Sequence, residues 1–206
     1  MKTVGILIFP DVEVLDFCGP FEVFSVSRAA EGEAQSPFEI VVVAETAAPV
    51  RAYGGLMVLP SATIDDCPPL DILVVPGGDG TRPLLSNERL LAWVRAQGAA
   101  VETLTSVCTG SLVLAQAGFL DGLTVTTHWL ALDLMRRLFP QTVVVDDQHV
   151  VENGRILTSA GISAGIDMAL KVVARYHGET AARRTAKMME YPYPETNARR
   201  VEIRAE

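Results

Sequence analysis

Residues 103–115 read TLTSVCTGSLVLA, in which a strand-like run leads into a cysteine and then at once into small and apolar residues. This succession of strand, reactive side chain and helix is typical of a nucleophile elbow, where a tight turn lifts the side chain above the sheet. Ser106 stands where the usual elbow pattern has its first glycine, so the match is imperfect. The positive end of the following helix favours thiolate over thiol. The stretch therefore predicts that Cys108 is reactive rather than merely buried in the core.

Strand and helix patterns alternate on both sides of this turn. Continuous apolar runs predict strands that are covered on both faces, as in a parallel sheet. The predicted strands are 4–9, 40–43, 72–75, 99–104, 143–145 and 156–159, and the predicted helices are 17–28, 84–97 (with Gly98 as its stop), 110–118, 130–139 and 162–176. This order predicts an α/β fold with a doubly wound, mostly parallel sheet flanked by helices, whose ligands bind beyond the carboxyl ends of the strands.

Length and composition narrow the class of protein. Residues 1–206 show no repeat or linker and are predicted to form a single domain, whose last ~30 residues form a C-terminal helix and tail. The net charge of -8 disfavours a nucleic-acid partner. No run reaches the ~18 apolar residues that span a bilayer, so no membrane partner is expected. The three cysteines follow no regular spacing, which argues against a disulfide framework and favours a cytoplasmic location.

Asp16 is the second candidate for chemistry, because it lies between Leu15 and Phe17 just after the first predicted strand. Two interpretations remain open from the local sequence. Aspartate is a preferred helix N-cap, and a helix is predicted to start near Phe17. Alternatively, the carboxyl lies at the mouth of the sheet, where a partly buried acid could hold a proton and share it with the Cys108 sulfur.

Two further segments are weaker candidates for a substrate site. The glycines after the 72–75 strand, including Gly77 and Gly78, could turn backbone N–H groups toward a ligand as an oxyanion hole. His128 could act as a base for Cys108, although a lone histidine is more often a structural hydrogen-bonding group. His149 and His177 belong to no motif and are expected at the surface. The scattered histidines and cysteines show no metal-ligand spacing, so no metal site is expected.

Several of these segments together resemble the ThiJ/PfpI superfamily, which is class I glutamine amidotransferase-like and flavodoxin-like in fold. The resemblance covers about residues 4–176, and its carriers are IFP at 8–10, LDFCGPFEVF at 15–24, VPGG at 75–78, SVCTGS at 106–111, TTHW at 126–129 and TSAGISAGID at 158–167. Within the superfamily the chain is most similar to the isonitrile hydratase subgroup. The likeness lies in an aspartate in the Leu-Asp-x-x-Gly-Pro loop and in a threonine directly after the cysteine.

The resemblance implies a function. It implies that Cys108, Asp16 and Thr109 catalyse the hydration of an isonitrile to an N-substituted formamide, in a homodimer that needs no cofactor. Two alternatives stay open: a thiol enzyme that acts on glyoxals or other small carbonyls, and a non-enzymatic sensor in which Cys108 is oxidised or binds a ligand. AraC-type regulators begin with a similar domain, but this chain stops about 30 residues after the last matching helix, short of a helix-turn-helix region of about 100 residues.

Overall fold

The computed structural model describes residues 1–203, and its strands are short and mostly buried. In chain order they are β1 (Lys2–Leu7), β2 (Phe38–Ala44), β3 (Val50–Arg51), β4 (Met57–Val58), β5 (Ala62–Thr63), β6 (Ile72–Val75), β7 (Thr103–Ser106), β8 (Thr124–Val125), β9 (Val143–Val144), β10 (Val150–Asn153) and β11 (Ile156–Ser159). The α-helices are α1 (Val14–Val26), α2 (Thr81–Leu84), α3 (Glu88–Ala100), α4 (Gly110–Gln116), α5 (Leu132–Leu138), α6 (Ala164–His177) and α7 (Glu179–Met188).

Seven strands form the central sheet in the order β10-β11-β7-β6-β1-β2-β5. All neighbours are parallel except β10, which runs antiparallel to β11 at the edge. The chain passes from β1 to β2 on one side and later returns to β6 on the other, so the strand order reverses beside β1. A crevice at such a reversal, beyond the carboxyl ends of the strands, is the usual ligand site of open α/β sheets.

The core strands are covered on both faces. Every residue of β6, β7 and β11 is buried, and helices such as α1 and α6 pack over the sheet. Strands of a parallel sheet are buried on both faces, so β6 is apolar throughout, whereas the buried hydroxyls of β7 and β11 include Thr105 and Ser159, which donate to the carbonyls of Leu73 and Ser106. The predicted α/β fold with a mostly parallel sheet is therefore confirmed.

Several predicted boundaries were wrong for local reasons. The helix predicted over 84–97 is two helices, because the Asn87 side chain accepts a hydrogen bond from the Leu90 N–H at 3.1 Å and starts α3 anew. Gly98 does not stop that helix; a Cβ there would lie 2.6 Å from the Phe119 ring, so glycine provides room for packing. The strand predicted from residue 99 begins only at Thr103, since residues 99–100 complete α3. Val143–Val144 pairs with β8 outside the central sheet.

The segment after α7 packs back against the edge strand of the sheet. The His149 N–H donates to the Asn197 carbonyl at 2.8 Å, and the His149 imidazole is buried 3.3 Å from the Asp167 carboxylate. The surface position expected for His149 was therefore wrong, because the C-terminal segment covers it. His177 is half-buried at the end of α6. Within residues 1–203, no helix has the length and apolar character needed to cross a bilayer.

Candidate active site

Cys108 lies in the turn that joins β7 to α4, above the carboxyl end of a central strand. Its φ angle is +55°, a left-handed conformation that is uncommon for residues other than glycine. The surrounding backbone holds this conformation: the Cys108 N–H donates to the Ala160 carbonyl at 3.1 Å, and the Cys108 carbonyl accepts from Thr127 Oγ1 at 2.9 Å. A Cβ on Gly110 would lie 2.0 Å from the Val75 carbonyl oxygen, so only glycine lets the turn pack this closely. The geometry is that of a nucleophile elbow.

Asp16 reaches the same point from α1. It is fully buried, and its Oδ2 accepts a hydrogen bond from the Gly77 N–H at 2.8 Å. Its Oδ1 is buried without a hydrogen-bond partner among the described residues. The N-cap interpretation of Asp16 was wrong: α1 begins at Val14 with Glu13 as its N-cap residue, which places Asp16 inside the first turn. Its carboxyl faces the cysteine turn instead of capping its own helix.

Burial and proximity set the protonation of this pair. Burial raises the pKa of Asp16 to about 7, although the Gly77 N–H and the nearby Cys108 side chain both favour the carboxylate. Burial and then the Asp16 charge raise the pKa of the Cys108 thiol far above its ordinary value. The lowered thiol pKa expected from the helix end was therefore wrong, because burial and the Asp16 charge outweigh the Thr109 N–H at the start of α4. Two such neighbours titrate as a unit, so the pair keeps at least one proton at neutral pH.

This raised pKa makes Asp16 a cost to folding when it ionises. The folded state binds the proton more tightly than the unfolded chain, so the stabilisation is fully present below about pH 4 and is lost as pH rises to about 7. We expect Asp16→Asn, whose amide oxygen can still accept from Gly77, to stabilise the protein at pH 8 by up to about 4 kcal/mol. Urea unfolding of both proteins at pH 5 and pH 8 measures this difference. An equal difference at both values would contradict the buried-acid assignment.

Gly77, Gly78 and Thr109 form the floor beside the pair. The Gly78 N–H donates to Thr109 Oγ1 at 3.0 Å, and Thr81 Oγ1 lies 3.2 Å from the same oxygen. A Cβ on Gly77 would lie within 3 Å of both Thr109 and Asp16, which shows how tightly these groups converge. Both glycine N–H groups are thus engaged by protein oxygens here, and their role in an oxyanion hole stays a prediction. The backbone N–H groups of Thr109 and Ile162 favour the anionic form of the Cys108 sulfur.

His128 shares the cleft with Cys108 but forms no triad with it. Its Nδ1 accepts from the Leu130 N–H at 3.3 Å, and no hydrogen bond to Cys108 occurs within residues 1–203. Burial, together with the positive charges of Arg199 and Arg82, lowers the pKa of His128, so the imidazole is neutral at pH 7. His128 was predicted to act as a base for Cys108, but no hydrogen bond joins the two side chains in the part of the chain that the structure describes. The His128 ring lines the cleft and can still face a substrate.

A cleft of about 320 Å³ opens over the sulfur. Its walls combine the predicted site residues with apolar and charged side chains from other loops: Glu13, Tyr53, Gly78, Asp79, Arg82, Cys108, Thr109, His128, Leu130, Ala131 and Ile162. Sequence reasoning missed Ile162, whose φ of +52° is rare for a β-branched residue. No local signal reveals it, because isoleucine is a residue one would not place in that conformation. Among the described residues, no three His, Cys, Asp or Glu side chains are grouped to hold a metal ion.

The fold and the elbow cysteine define a class of open α/β-sheet proteins with a single thiol at the strand reversal. A match to the DJ-1/PfpI family extends over residues 2–175. The chain belongs to the DJ-1/PfpI family.

Individual members of the family and their relatives share much of this sequence and fold. The chain is 39% identical over 188 residues to the isonitrile hydratase of Pseudomonas putida, covering 91% of this chain and 78% of that protein. It is 32% identical to the HTH-type transcriptional regulator CdhR of Pseudomonas aeruginosa, covering 85% of this chain but only 51% of the regulator. A solved ThiJ/PfpI family protein from Pseudomonas syringae superposes with a TM-score of 0.83 at 34% identity, over 95% of this chain and 78% of that one.

Proposed function

We propose that this protein is an isonitrile hydratase, which converts R–N≡C to the N-substituted formamide R–NH–CHO. The observation that carries the proposal is the pairing of a buried acid with the elbow cysteine: Asp16 has one oxygen fixed by Gly77 and the other free beside Cys108. The terminal carbon of an isonitrile accepts both a soft nucleophile and a proton, and this pair supplies one of each. The likeness to the Pseudomonas putida hydratase supports the same assignment.

The first step starts from the one-proton pair, in which the Cys108 thiol holds the proton and Asp16 is a carboxylate. Asp16 takes the thiol proton as a general base, which leaves the negative charge on sulfur. The Cys108 sulfur forms a bond to the terminal carbon, and Asp16 transfers its proton to that same carbon. The product is a thioimidate, R–N=CH–S–Cys108, and Asp16 is left as a carboxylate. The N–H groups of Thr109 and Ile162 stabilise the sulfur anion before attack, since both favour its charged form.

The second step adds water to the thioimidate carbon. The Asp16 carboxylate takes one water proton as general base, and the hydroxyl bonds to the carbon. The nitrogen receives the remaining hydroxyl proton, the C–S bond breaks, and R–NH–CHO leaves. This leaves a protonated Asp16 and a sulfur anion, and the return of the proton to sulfur restores the starting pair. Thr109 assists by fixing the floor of the site through its Oγ1, which lies 3.0 Å from the Gly78 nitrogen. No cofactor enters any step.

The side chains at the edge of the cleft indicate the kind of substituent that the substrate carries. Tyr53, Leu130 and Ile162 present exposed apolar surface at its edge, which suits an alkyl or aryl substituent on the isonitrile nitrogen. The cleft therefore suits a small-molecule substrate. The protein acts as a homodimer, as the family resemblance implies, and in the cytoplasm, as its three irregularly spaced cysteines imply.

A comparison of three reagents tests the function. Purified protein is mixed separately with cyclohexyl isocyanide, methylglyoxal and dilute peroxide, and formamide, hydroxy acid and oxidised Cys108 are each measured. Formamide formation with many turnovers per subunit is the expected result. Turnover of methylglyoxal alone would assign the same thiol-acid pair to carbonyl chemistry through a hemithioacetal. Reversible oxidation of Cys108 with no turnover of either compound would make the protein a sensor.

A further inference from the structure

The C-terminal segment, residues 189–203, brings a half-buried arginine to the turn that precedes His128. Arg199 Nη2 donates to Thr126 Oγ1 at 2.7 Å and to the Thr127 carbonyl at 3.0 Å. Both threonines are fully buried. A single guanidinium nitrogen thus binds one side chain and one backbone carbonyl of adjacent residues, which fixes the orientation of the turn between them.

This turn supports the reactive cysteine directly. Thr127 Oγ1 donates to the Cys108 carbonyl at 2.9 Å, and Ser111 Oγ donates to the same carbonyl at 3.2 Å. Because Cys108 adopts a positive φ, its peptide orientation depends on such contacts. His128 follows Thr127 and lines the cleft. Arg199 therefore contacts Thr127, which in turn contacts Cys108 and precedes His128 in the chain.

We propose that Arg199 is a positioning residue of the Cys108 site, which holds the Thr126–Thr127 turn so that Thr127 supports the cysteine carbonyl and His128 faces the cleft. The effect on turnover rests on the proposed hydratase function. The effect on His128 does not depend on it. The structure places this arginine against the turn that supports the site.

Other contacts anchor the same segment, so the Arg199 side chain is not needed to keep it in place. Asn197 pairs with Val150 through Nδ2 to the carbonyl at 2.7 Å and through Oδ1 to the N–H at 3.0 Å. The Arg199 backbone N–H donates to the Asp147 carbonyl at 2.7 Å. Arg200 binds the buried Asp167 carboxylate at 2.6 Å, away from the cleft. Arg200 is therefore a matched control: it anchors the same segment without touching the turn.

The charge of Arg199 provides a second readout. Burial of the His128 ring lowers its pKa, and the positive charges of Arg199 and Arg82 lower it further. Asp146 and Asp147 face Arg199 and partly offset its charge. Removing the guanidinium takes away one of the two cations, so the pKa of His128 should rise. An arginine that anchors the segment away from His128, as Arg200 does, would leave that titration unchanged.

The test uses Arg199→Met, Arg199→Lys and Arg200→Met, each made in the whole chain of 206 residues. With cyclohexyl isocyanide, we expect Arg199→Met to lower kcat about tenfold with KM nearly unchanged, because a misplaced catalytic turn costs rate. Arg199→Lys, which keeps a cation and a donor, should recover most of kcat, and Arg200→Met should match the wild type. The ring-proton titration of His128, one of three histidines, should move upward in Arg199→Met alone.

The two readouts separate the possible failures. An equal loss of kcat in Arg199→Met and Arg200→Met, or an unchanged His128 titration in Arg199→Met, would overturn the proposal. If the wild type hydrates no isonitrile, the hydratase function fails instead, and the His128 titration alone decides whether Arg199 acts on the site.

Discussion

Replacement of Cys108 by alanine is expected to lower kcat/KM for an isonitrile by at least about 10⁴-fold, because Cys108 is the one thiol among the described residues that line the cleft. Alanine fills less space and tolerates the turn about as well as cysteine does, so the fold should persist. The assay is formamide formation, with circular dichroism as a check of folding. Cys67→Ala is the matched control, since Cys67 is a half-buried cysteine outside the cleft, and it should retain wild-type activity. Comparable activity in Cys108→Ala would remove the nucleophile from the mechanism.

Asp16→Asn is expected to lower kcat/KM about 10³-fold, because the amide can neither donate the proton to carbon nor activate water. The hydrogen bond from Gly77 can remain, so the substitution removes only the ability of residue 16 to gain and lose a proton. Formamide formation is measured in parallel with Asp167→Asn, which replaces a second buried aspartate outside the cleft. Activity of Asp16→Asn within a few-fold of the wild type would show that another group handles the proton.

The two Asp16 predictions have opposite signs, and both follow from the same burial. The acid is held in an apolar position where ionisation costs free energy, and that same position prepares it to hold a proton at neutral pH. A variant that is more stable at pH 8 and much less active is the expected signature of a residue kept for chemistry at a cost to stability.

Sequence patterns specified the centre of the sheet well. The predicted 72–75 strand coincides with β6, and the elbow at Cys108 lies at the predicted strand-to-helix turn. Both succeed because a strand buried on both faces has little compositional freedom, and because a close-packed turn requires small residues such as Gly110. The glycines after β6 meet the cysteine turn because β6 and β7 are parallel neighbours, with Val75 opposite Ser106.

The sequence could not specify groups whose environment comes from distant segments. Asp16 was ambiguous because its burial depends on Gly77, 61 positions away. His149 was expected at the surface because nothing local predicts that Asn197 covers it. The thiol pKa was predicted in the wrong direction, since the helix end is visible in the sequence, whereas the burial of the sulfur and the carboxylate beside it are not. Tertiary contacts decide all three.

The pH dependence of kcat/KM for cyclohexyl isocyanide tests the shared proton of Asp16 and Cys108 most directly. The active form carries one proton on the pair, whereas the form at low pH carries two and has no Asp16 carboxylate to take the thiol proton. Because the pKa of Asp16 is about 7, kcat/KM should rise through about pH 7 and then stay level to pH 9. A profile that is flat from pH 5 to pH 9, or that falls through pH 7, would contradict the account.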